Sequence, residues 1–302
     1  MDSAVDPDLR LDRNDREENR MKLDTLNTED VLISLFNSQY SGISSIKNIL
    51  PELEKSVAYA LIKLQKGGRL IFVGAGTSGR LAAQEASELY PTFSWPKEKA
   101  LFLIAGGKEA LYEAREGAED NTQQAIEDVH KIHLTEQDIV ICISASGNTP
   151  YTFTILKEAN RIGAYTIGIA CEKQSPILEE SKAQLYLGVG EEVINGSTRM
   201  ASGTAQKVLL NMLTTTLMIK LNRVYDSLMV DLAITNKKLE NRGIQIISKI
   251  CLVDQQTATQ ALFQCNKEVK LACVYLKYGN IELAKKKLEE HNFNLRTCLE
   301  QV

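Results

Sequence analysis

Hydrophobic residues along the chain alternate between short continuous runs and longer amphipathic stretches. The short runs lie at residues 69–74, 100–104, 138–143, 165–170 and 185–189. A short, wholly apolar run bounded by turn residues is typical of a strand that is buried on both faces of a parallel sheet. Because helical patterns separate these runs, the sequence predicts an α/β fold with a three-layer αβα arrangement, a parallel sheet and right-handed crossovers.

The helical patterns have their apolar residues three or four positions apart. They predict helices over residues 31–36, 43–64 with a break near Pro51, 81–89, 109–129, the stretch that ends at Arg161, and 201–223. Thr28 and Asp30 are suited to cap a helix that starts near Val31.

The two ends of the chain differ from the middle. Residues 1–30 are polar and rich in acidic groups, which predicts an N-terminal arm. Residues 31–238 carry the alternating pattern and form the predicted main domain. Residues 239–302 contain short amphipathic helices separated by Gly279-Asn280 and His291-Asn292, which predicts a small C-terminal three-helix module.

Composition narrows the class of protein. The net charge is −4 and aromatic residues make up 6%, so neither a basic field nor stacking platforms indicate nucleic-acid binding. The longest apolar run, at residues 208–221, is shorter than the roughly 20 residues that a bilayer crossing needs. The charged first thirty residues contain no apolar segment typical of a secretory signal. We therefore expect a soluble cytoplasmic protein that binds no membrane.

The cysteines and histidines give no pattern of a metal or disulfide site. The six cysteines show no C-x-x-C spacing, and we interpret them as reduced structural thiols. His130 and His133 flank a turn without an accompanying pattern of Cys or Asp ligands, so no metal is expected.

Two strand–loop–helix transitions share one kind of chemistry. The segments at residues 74–79 and 144–149 each place hydroxyl groups and unpaired N–H groups at the start of a helix. Such a helix terminus favours anions, especially phosphate. Neither loop is a Walker A motif, and no acidic residue marks a dinucleotide site. The pattern favours a phosphosugar ligand, with candidate binding residues Thr77, Ser78, Ser144, Ser146, Asn148 and Thr149.

These loops resemble those of the sugar isomerase (SIS) fold. Longer strings resemble the N-acetylmuramic acid 6-phosphate etherases in particular and follow that family's order. They are Gly74–Arg80, Ala86-Ser-Glu88, Pro91-Thr-Phe93, Ile104-Ala-Gly-Gly107, Glu116-Gly-Ala-Glu-Asp120, Ala145-Ser-Gly-Asn-Thr-Pro-Tyr151, Gly196-Ser-Thr-Arg-Met200, Gly203-Thr-Ala-Gln-Lys207, Asn211-Met-Leu213, Met229-Val-Asp231 and Thr235-Asn236. Asn148 stands where the family usually has Arg, a departure that bears on substrate affinity more than on reaction type.

The resemblance implies a carbon–oxygen lyase that needs no cofactor. Such an enzyme removes the D-lactyl ether from N-acetylmuramic acid 6-phosphate by elimination and hydration, leaving N-acetylglucosamine 6-phosphate. The reaction needs one group to take the carbon-2 proton and an acid to protonate the leaving oxygen. The resemblance assigns the acid to Glu88 and the second catalytic carboxylate, as the base, to Glu119.

The surroundings of these carboxylates give two interpretations. Apolar sequence neighbours of Glu88 predict that burial keeps it protonated. Glu85 lies three positions from Glu88, and Glu116 three from Glu119, and carboxylates on helices are usually solvated. We interpret Glu85 and Glu116 as such surface residues.

A further set of polar residues precedes the long helix predicted from residue 201. Ser197, Thr198 and Arg199 could bind the phosphate or the lactyl carboxylate, or could simply cap that helix. Lys207 could likewise contact a ligand, or could be an ordinary surface lysine of the long helix.

Helix geometry raises one difficulty. Glu88 lies ten residues after Ser78, which is roughly 15 Å along a helix at ~1.5 Å per residue. A hexose phosphate is shorter than this. Either the helix bends early, or Glu88 serves the site of a second subunit, which predicts a homodimer with a shared active site.

Two other functions stay open at this point. An aldose–ketose isomerase of the same fold also uses a glutamate base, but releases no lactate. A non-catalytic sugar-phosphate sensor similar to glucokinase regulatory protein would bind without turnover, although such proteins carry two of these domains in a longer chain.

Overall fold

The computed structural model describes residues 22–300. Most of the predicted N-terminal arm therefore lies outside the described residues. The helices are α1 (Thr28–Ser45), α2 (Leu50–Gln65), α3 (Gly76–Phe93), α4 (Thr122–Lys131), α5 (Pro150–Ile162), α6 (Pro176–Glu180), α7 (Ala201–Lys220), α8 (Lys237–Cys251), α9 (Gln255–Gln264), α10 (Val269–Tyr278), α11 (Ile281–Glu290) and α12 (Leu295–Glu300). The strands are β1 (Leu70–Gly74), β2 (Ala100–Ile104), β3 (Ile139–Ile143), β4 (Tyr165–Ala170), β5 (Ala183–Tyr186), β6 (Val224–Tyr225) and β7 (Leu228–Met229).

Five strands form the predicted parallel sheet, in the order β2-β1-β3-β4-β5. Side chains alternate between its two faces, because successive residues of a strand point to opposite sides. Leu70 and Phe72 pack with α2, α3 and α7, whereas Ile71 and Val73 pack with α4, α5 and α6. The three-layer αβα prediction is confirmed.

Several elements differ from their predicted extents, among them one helix and the last strand. The helix predicted over residues 109–129 is wrong: short 3-10 turns at Lys108–Leu111 and Ala118–Asp120 precede α4. Gly117 adopts a left-handed conformation at φ +70°, and Asn121 caps α4 by accepting the Gln124 N–H at 2.9 Å. The last strand ends at Tyr186 rather than residue 189, because Tyr186 pairs with Ala170, where β4 itself ends.

The start of α1 also differs from the prediction. Its N-cap is Asn27, whose side chain accepts the Asp30 N–H at 2.9 Å, and Thr28 is the first helical residue. Asp30 is therefore not a cap. It lies in the first turn, where its negative charge interacts favourably with the positive end of the helix macrodipole.

The C-terminal helices build a separate hydrophobic cluster. Its buried residues include Ile247, Leu262, Ala272 and Leu288. Five helices, α8 to α12, lie between residues 237 and 300, so the predicted count of three is wrong although the helical module is present. The domain boundaries predicted at residues 30/31 and 238/239 stay predictions. None of the helices within residues 22–300 combines the length and apolarity required to span a membrane.

Candidate functional site

The candidate site lies where β1 and β3 end side by side. Gly74, the last residue of β1, pairs with Ile143, the last residue of β3. The chain leaves β1 into α3 on one face of the sheet and leaves β3 into α5 on the other. The two predicted phosphate loops therefore flank a crevice at a topological switch point, the position where ligands bind in open α/β sheets.

The loop after β3 carries a cluster of hydroxyl groups. Ser144 Oγ lies 2.8 Å from Thr149 Oγ1 and 3.3 Å from Ser146 Oγ, and it accepts the Gly147 N–H at 3.0 Å. Thr149 precedes the first turn of α5, whose N–H groups have no partner within the helix. The structure thus brings Ser144, Ser146 and Thr149 together at a helix N-terminus. Asn148 is exposed beside them.

The loop after β1 is joined to helix α7. Ser78 is buried, and its hydroxyl donates to Gln206 Oε1 at 2.9 Å. The methyl group of Thr77 lies against Gly203, where an added Cβ would meet it at 3.3 Å. Since the hydroxyl proton of Ser78 is already donated, this residue offers a ligand its backbone N–H rather than its hydroxyl proton.

The turn before α7 is organised by Glu192, which the sequence analysis did not single out. Its carboxylate accepts the N–H groups of Ala201 at 3.0 Å and Ser202 at 2.8 Å. Glu192 therefore caps the N-terminus of α7, a role for which the sequence analysis had considered Ser197 and Thr198. Ser197 is half-buried, whereas Thr198 and Arg199 are exposed in this turn.

The two glutamates on α3 have the opposite environments to those predicted. Glu85, interpreted from sequence as a surface residue, has a side chain only 2% exposed, whereas that of Glu88 is 50% exposed. Glu88 Oε1 accepts from Gln84 Nε2 at 2.9 Å, and its Oε2 lies 3.6 Å from Lys207 Nζ. The expectation that Glu88 is buried is wrong, because half of its side chain is exposed on the outer face of α3.

Lys207 joins both of these carboxylates. Its Nζ donates to Glu85 Oε2 at 2.9 Å, and Thr214 Oγ1 donates to Glu85 Oε1 at 2.5 Å. Burial opposes the charged form of Lys207, but the hydrogen bond and charge of Glu85, together with the charge of Glu88, outweigh it and raise the pKa of Lys207 above its usual value. Lys207 is thus an ammonium group held between two carboxylates.

Glu119 lies in the 3-10 turn that precedes α4, and its side chain is exposed. The neighbouring Ala118 packs against the cluster beneath the sheet and near Gly106, which follows β2. This contact places Glu119 towards the edge of the sheet where the strands end. Glu116 is also exposed and lies outside any helix, so the three-residue spacing of Glu116 and Glu119 is not helical.

Two cavities among the described residues lie away from the hydroxyl cluster. One of about 690 Å³ lies between α3 and the C-terminal helices and includes Arg223 and Lys270. The other, of about 720 Å³, follows the edge strand β2.

Three residues that organise this region were missed from sequence: the buried Glu85 and Gln206 and the half-buried Glu192. For Glu85 a signal existed, since it shares the buried helical face of Ser78, Ala82 and Leu89 at spacings of three and four residues. No comparable signal marks Glu192, whose partners are backbone groups nine and ten residues later.

Comparisons with known proteins define the class first. The family model "SIS domain" matches residues 121–216, and the model "Glucokinase regulatory protein N-terminal SIS domain" matches residues 52–160. A crystal structure of a protein involved in capsule formation from Bacteroides fragilis has a TM-score of 0.53 at 22% identity, covering 67% of this chain and 95% of that one. Together with the parallel sheet, these matches define a SIS-type fold.

Curated relatives define the family. The chain is 43% identical over 282 residues to N-acetylmuramic acid 6-phosphate etherase of an Enterobacter species, covering 93% of this chain and 95% of the relative. It is 41% identical over 275 residues to N-acetylmuramic acid 6-phosphate etherase 1 of Bacillus licheniformis, covering 91% of this chain and 90% of the relative. The relative of that name from Deinococcus radiodurans is 41% identical, covering 85% and 84%. The chain belongs to the N-acetylmuramic acid 6-phosphate etherase family.

Proposed function

We propose that this protein cleaves the D-lactyl ether of N-acetylmuramic acid 6-phosphate, giving N-acetylglucosamine 6-phosphate and D-lactate. The observation that carries this proposal is the identity of about 40% to etherases over most of both chains. The paired hydroxyl-rich loops at the switch point support it, since they suit the phosphate of a sugar. The free cysteines of residues 22–300 suit a reducing compartment, and we place the reaction in the cytoplasm.

The two loops and the turn before α7 bind different parts of the substrate. The hydroxyls of Ser144, Ser146 and Thr149 and the first turn of α5 hold the phosphate, and the loop of Thr77 and Ser78 closes on it from the adjacent strand. Ser197, Thr198 and Arg199 face the lactyl carboxylate, for which a guanidinium group is the best-matched donor. Asn148 adds an uncharged amide where the family usually has a cation.

The reaction proceeds on the open-chain sugar, whose carbon-2 proton is acidic because it adjoins the aldehyde. Glu119 takes this proton, and the electron pair of the C2–H bond passes into the enolate of the aldehyde. In the next step the aldehyde re-forms, a C2=C3 double bond forms and the C3–O bond breaks, while Glu88 gives its proton to the departing lactate oxygen. Water then adds to carbon 3 while carbon 2 regains a proton. This scheme uses no cofactor and no metal.

A homodimer with a shared site reconciles the positions of the loops and Glu88. Helix α3 continues as one helix from Gly76 to Phe93, so the roughly 15 Å between Ser78 and Glu88 is not shortened by an early break. Helix α1 also exposes Leu32, Phe36 and Tyr40 in one stripe at four-residue spacing. Contiguous exposed apolar residues of this kind are typical of protein interfaces, which supports a second copy as partner.

Turnover in water enriched in heavy oxygen tests the proposed function. We expect the label at carbon 3 of the amino sugar and none in the lactate, because water adds after the C3–O bond has broken. Label in the lactate would show cleavage on the other side of the ether and remove the elimination scheme. A ketose product without lactate would instead identify an isomerase.

Two variants separate the proposed carboxylate roles. In deuterated water, Glu119→Gln loses exchange of the carbon-2 proton, whereas Glu88→Gln retains that exchange and loses lactate release by about 10²- to 10⁴-fold, the usual contribution of a general acid or base. Glu116→Gln is the matched control and keeps both activities. Equal loss of both steps in the two variants would contradict the assignment.

A further inference from the structure

Glu85 occupies a position where an apolar side chain would ordinarily lie. Its neighbours on the same face of α3, Ala82 and Leu89, belong to the hydrophobic core. A carboxylate at such a position is costly unless it is paired and hydrogen-bonded. Both oxygens of Glu85 meet this condition, one with Lys207 and the other with Thr214. The buried carboxylate of Glu85 thus lies at the contact between α3 and α7, where it holds the ammonium group of Lys207 in place.

The fixed ammonium group faces the residue to which the general acid role is assigned. Lys207 Nζ lies 2.9 Å from Glu85 Oε2 and 3.6 Å from Glu88 Oε2. Glu88 is more exposed than Glu85 and forms the weaker, longer contact of the two. Lys207 is therefore shared unequally between the two side chains, of which only Glu88 gives up a proton in the proposed reaction.

We propose that Glu85 and Lys207 are positioning residues that set the protonation of Glu88. This inference rests on the function proposed above. When the C3–O bond breaks, the proton of Glu88 passes to the lactate oxygen and Glu88 becomes a carboxylate. Lys207 stabilises this new charge, which favours proton transfer. Glu85, 2.9 Å from the same ammonium group, offsets part of the positive charge that Glu88 meets at 3.6 Å.

Other charged groups near α3 do not substitute for this pair. The adjacent strands β1 and β2 carry no charged side chains. In the two turns that pack on α3, Lys97 lies over the ring of Tyr90 at 4.8 Å, and Glu109 pairs with Arg115. The same turns carry Glu98, Lys99 and Lys108, and Arg80 on α3 itself donates to the Leu111 carbonyl. Within residues 22–300, the ion pair of Glu88 is with Lys207.

The inference predicts opposite effects for the two positioning residues. In Glu85→Gln the ammonium charge of Lys207 is no longer offset by Glu85 and acts in full on Glu88. Lactate release should fail above a certain pH, and we expect the midpoint of that loss to move down by about one unit. Lys207→Met removes the cation, so the midpoint moves up by about one unit while the maximal rate falls. Shifts of this size are usual when a charge within about 4–6 Å of a carboxyl group is gained or lost.

The experiment measures lactate release against pH for wild type and variants, with carbon-2 proton exchange as a second readout that needs no proton from Glu88. Lys207→Arg keeps the charge and is expected to retain the wild-type midpoint. Lys97→Met is the matched control for loss of a lysine beside α3. If Lys207→Met does not fold, the double variant Glu85→Gln/Lys207→Met removes both charges together, and its midpoint also lies above that of wild type.

The outcomes separate this inference from the proposed function. Opposite shifts with unchanged proton exchange support the positioning role. Midpoints that stay in place, or that move in the same direction, in folded single variants of an active enzyme overturn it and leave the proposed function standing. A wild-type protein that releases no lactate removes both, because the inference has then lost the reaction on which it acts.

Discussion

The hydroxyl of Ser78 donates to the side-chain oxygen of Gln206 at 2.9 Å, and this buried bond joins the loop after β1 to helix α7. The two residues are 128 positions apart in sequence. Through this bond, the loop that begins α3 is joined to the helix that carries Lys207. The position of the proposed phosphate loop therefore depends on a contact that no local pattern specifies.

Loss of this bond is expected to destabilise the protein. Within the described residues, the Nε2 of the buried Gln206 has no hydrogen-bond partner, and its Oε1 accepts from Ser78. Ser78→Ala therefore leaves both polar atoms of the Gln206 side chain without a partner. An unsatisfied buried polar group costs about 1–3 kcal/mol, so thermal unfolding should shift down by several degrees. Ser87→Ala is the control, because Ser87 is an exposed residue of the same helix whose hydroxyl donates to the Ala83 carbonyl. Equal melting temperatures for both variants would contradict the role of the bond.

Gly147 in the second loop is expected to tolerate no side chain. Its φ is +63°, and an added Cβ would lie 2.3 Å from Ser175 Oγ. Gly147→Ala should therefore displace the hydroxyl cluster and raise KM for the phosphosugar about tenfold or more, an effect of at least ~1.4 kcal/mol. Gly279→Ala is the matched control, with φ +70° and open space around the added atom. It should lower stability through strain alone and leave KM unchanged.

The stability of the sheet is expected to depend on the charge of Asp138. Burial opposes ionisation of this carboxyl, but hydrogen bonds from Arg69 and Thr135 and the charge of Arg69 outweigh it and hold the pKa of Asp138 below its usual value. A lowered folded-state pKa contributes stability above the unfolded value of about 3.9, and this stability is lost as pH falls from there through the folded value. Denaturant unfolding from pH 6 to pH 2 measures it.

Two variants give the comparison for that measurement. Asp138→Asn should be less stable than wild type at pH 6, and the difference should shrink at pH 4 and below as wild type loses its ion pair. Asp226→Asn, which changes an exposed carboxyl, should follow wild type at every pH. A constant difference between Asp138→Asn and wild type down to pH 2 would refute the linkage.

The exposed stripe on α1 is expected to form the dimer contact. Phe36 is 67% exposed and stacks on Tyr40 with ring centroids 6.2 Å apart. Phe36→Glu places a charge in the centre of the stripe and should shift the protein from dimer to monomer in sedimentation equilibrium. Tyr112→Glu is the control, since Tyr112 is 88% exposed but lies outside the stripe. A wild-type protein that sediments as a monomer would rule out this contact.

A shared active site predicts complementation between inactive variants. In a mixture of Glu88→Gln with Ser144→Ala, each mixed dimer has one site with both lesions and one with none. Random assortment should then restore roughly a quarter of wild-type lactate release, given a symmetric dimer. Ser144→Ala mixed with Thr149→Ala should restore none, because both changes affect the same part of the site. No recovery in verified mixed dimers would place each complete site within one subunit.

The sequence by itself determined the sheet and the location of the loops. Runs such as residues 100–104 and 165–170 are apolar on both faces, and only a strand covered on both sides buries such a run. Once the strands are parallel, their carboxyl ends meet at one edge, so Ser144 and Thr77 had to lie near each other. Short-range periodicity was sufficient for these predictions.

Only the tertiary structure decided which carboxylates are buried. Glu88 was expected among its apolar sequence neighbours, but helix geometry places Glu85 on the core face and Glu88 on the outer one. Glu85 is tolerated there because Lys207 and Thr214, more than 120 residues away, supply its partners. The pairing of a buried charge depends on long-range packing of α3 against α7, and neither helix alone contains the information for it.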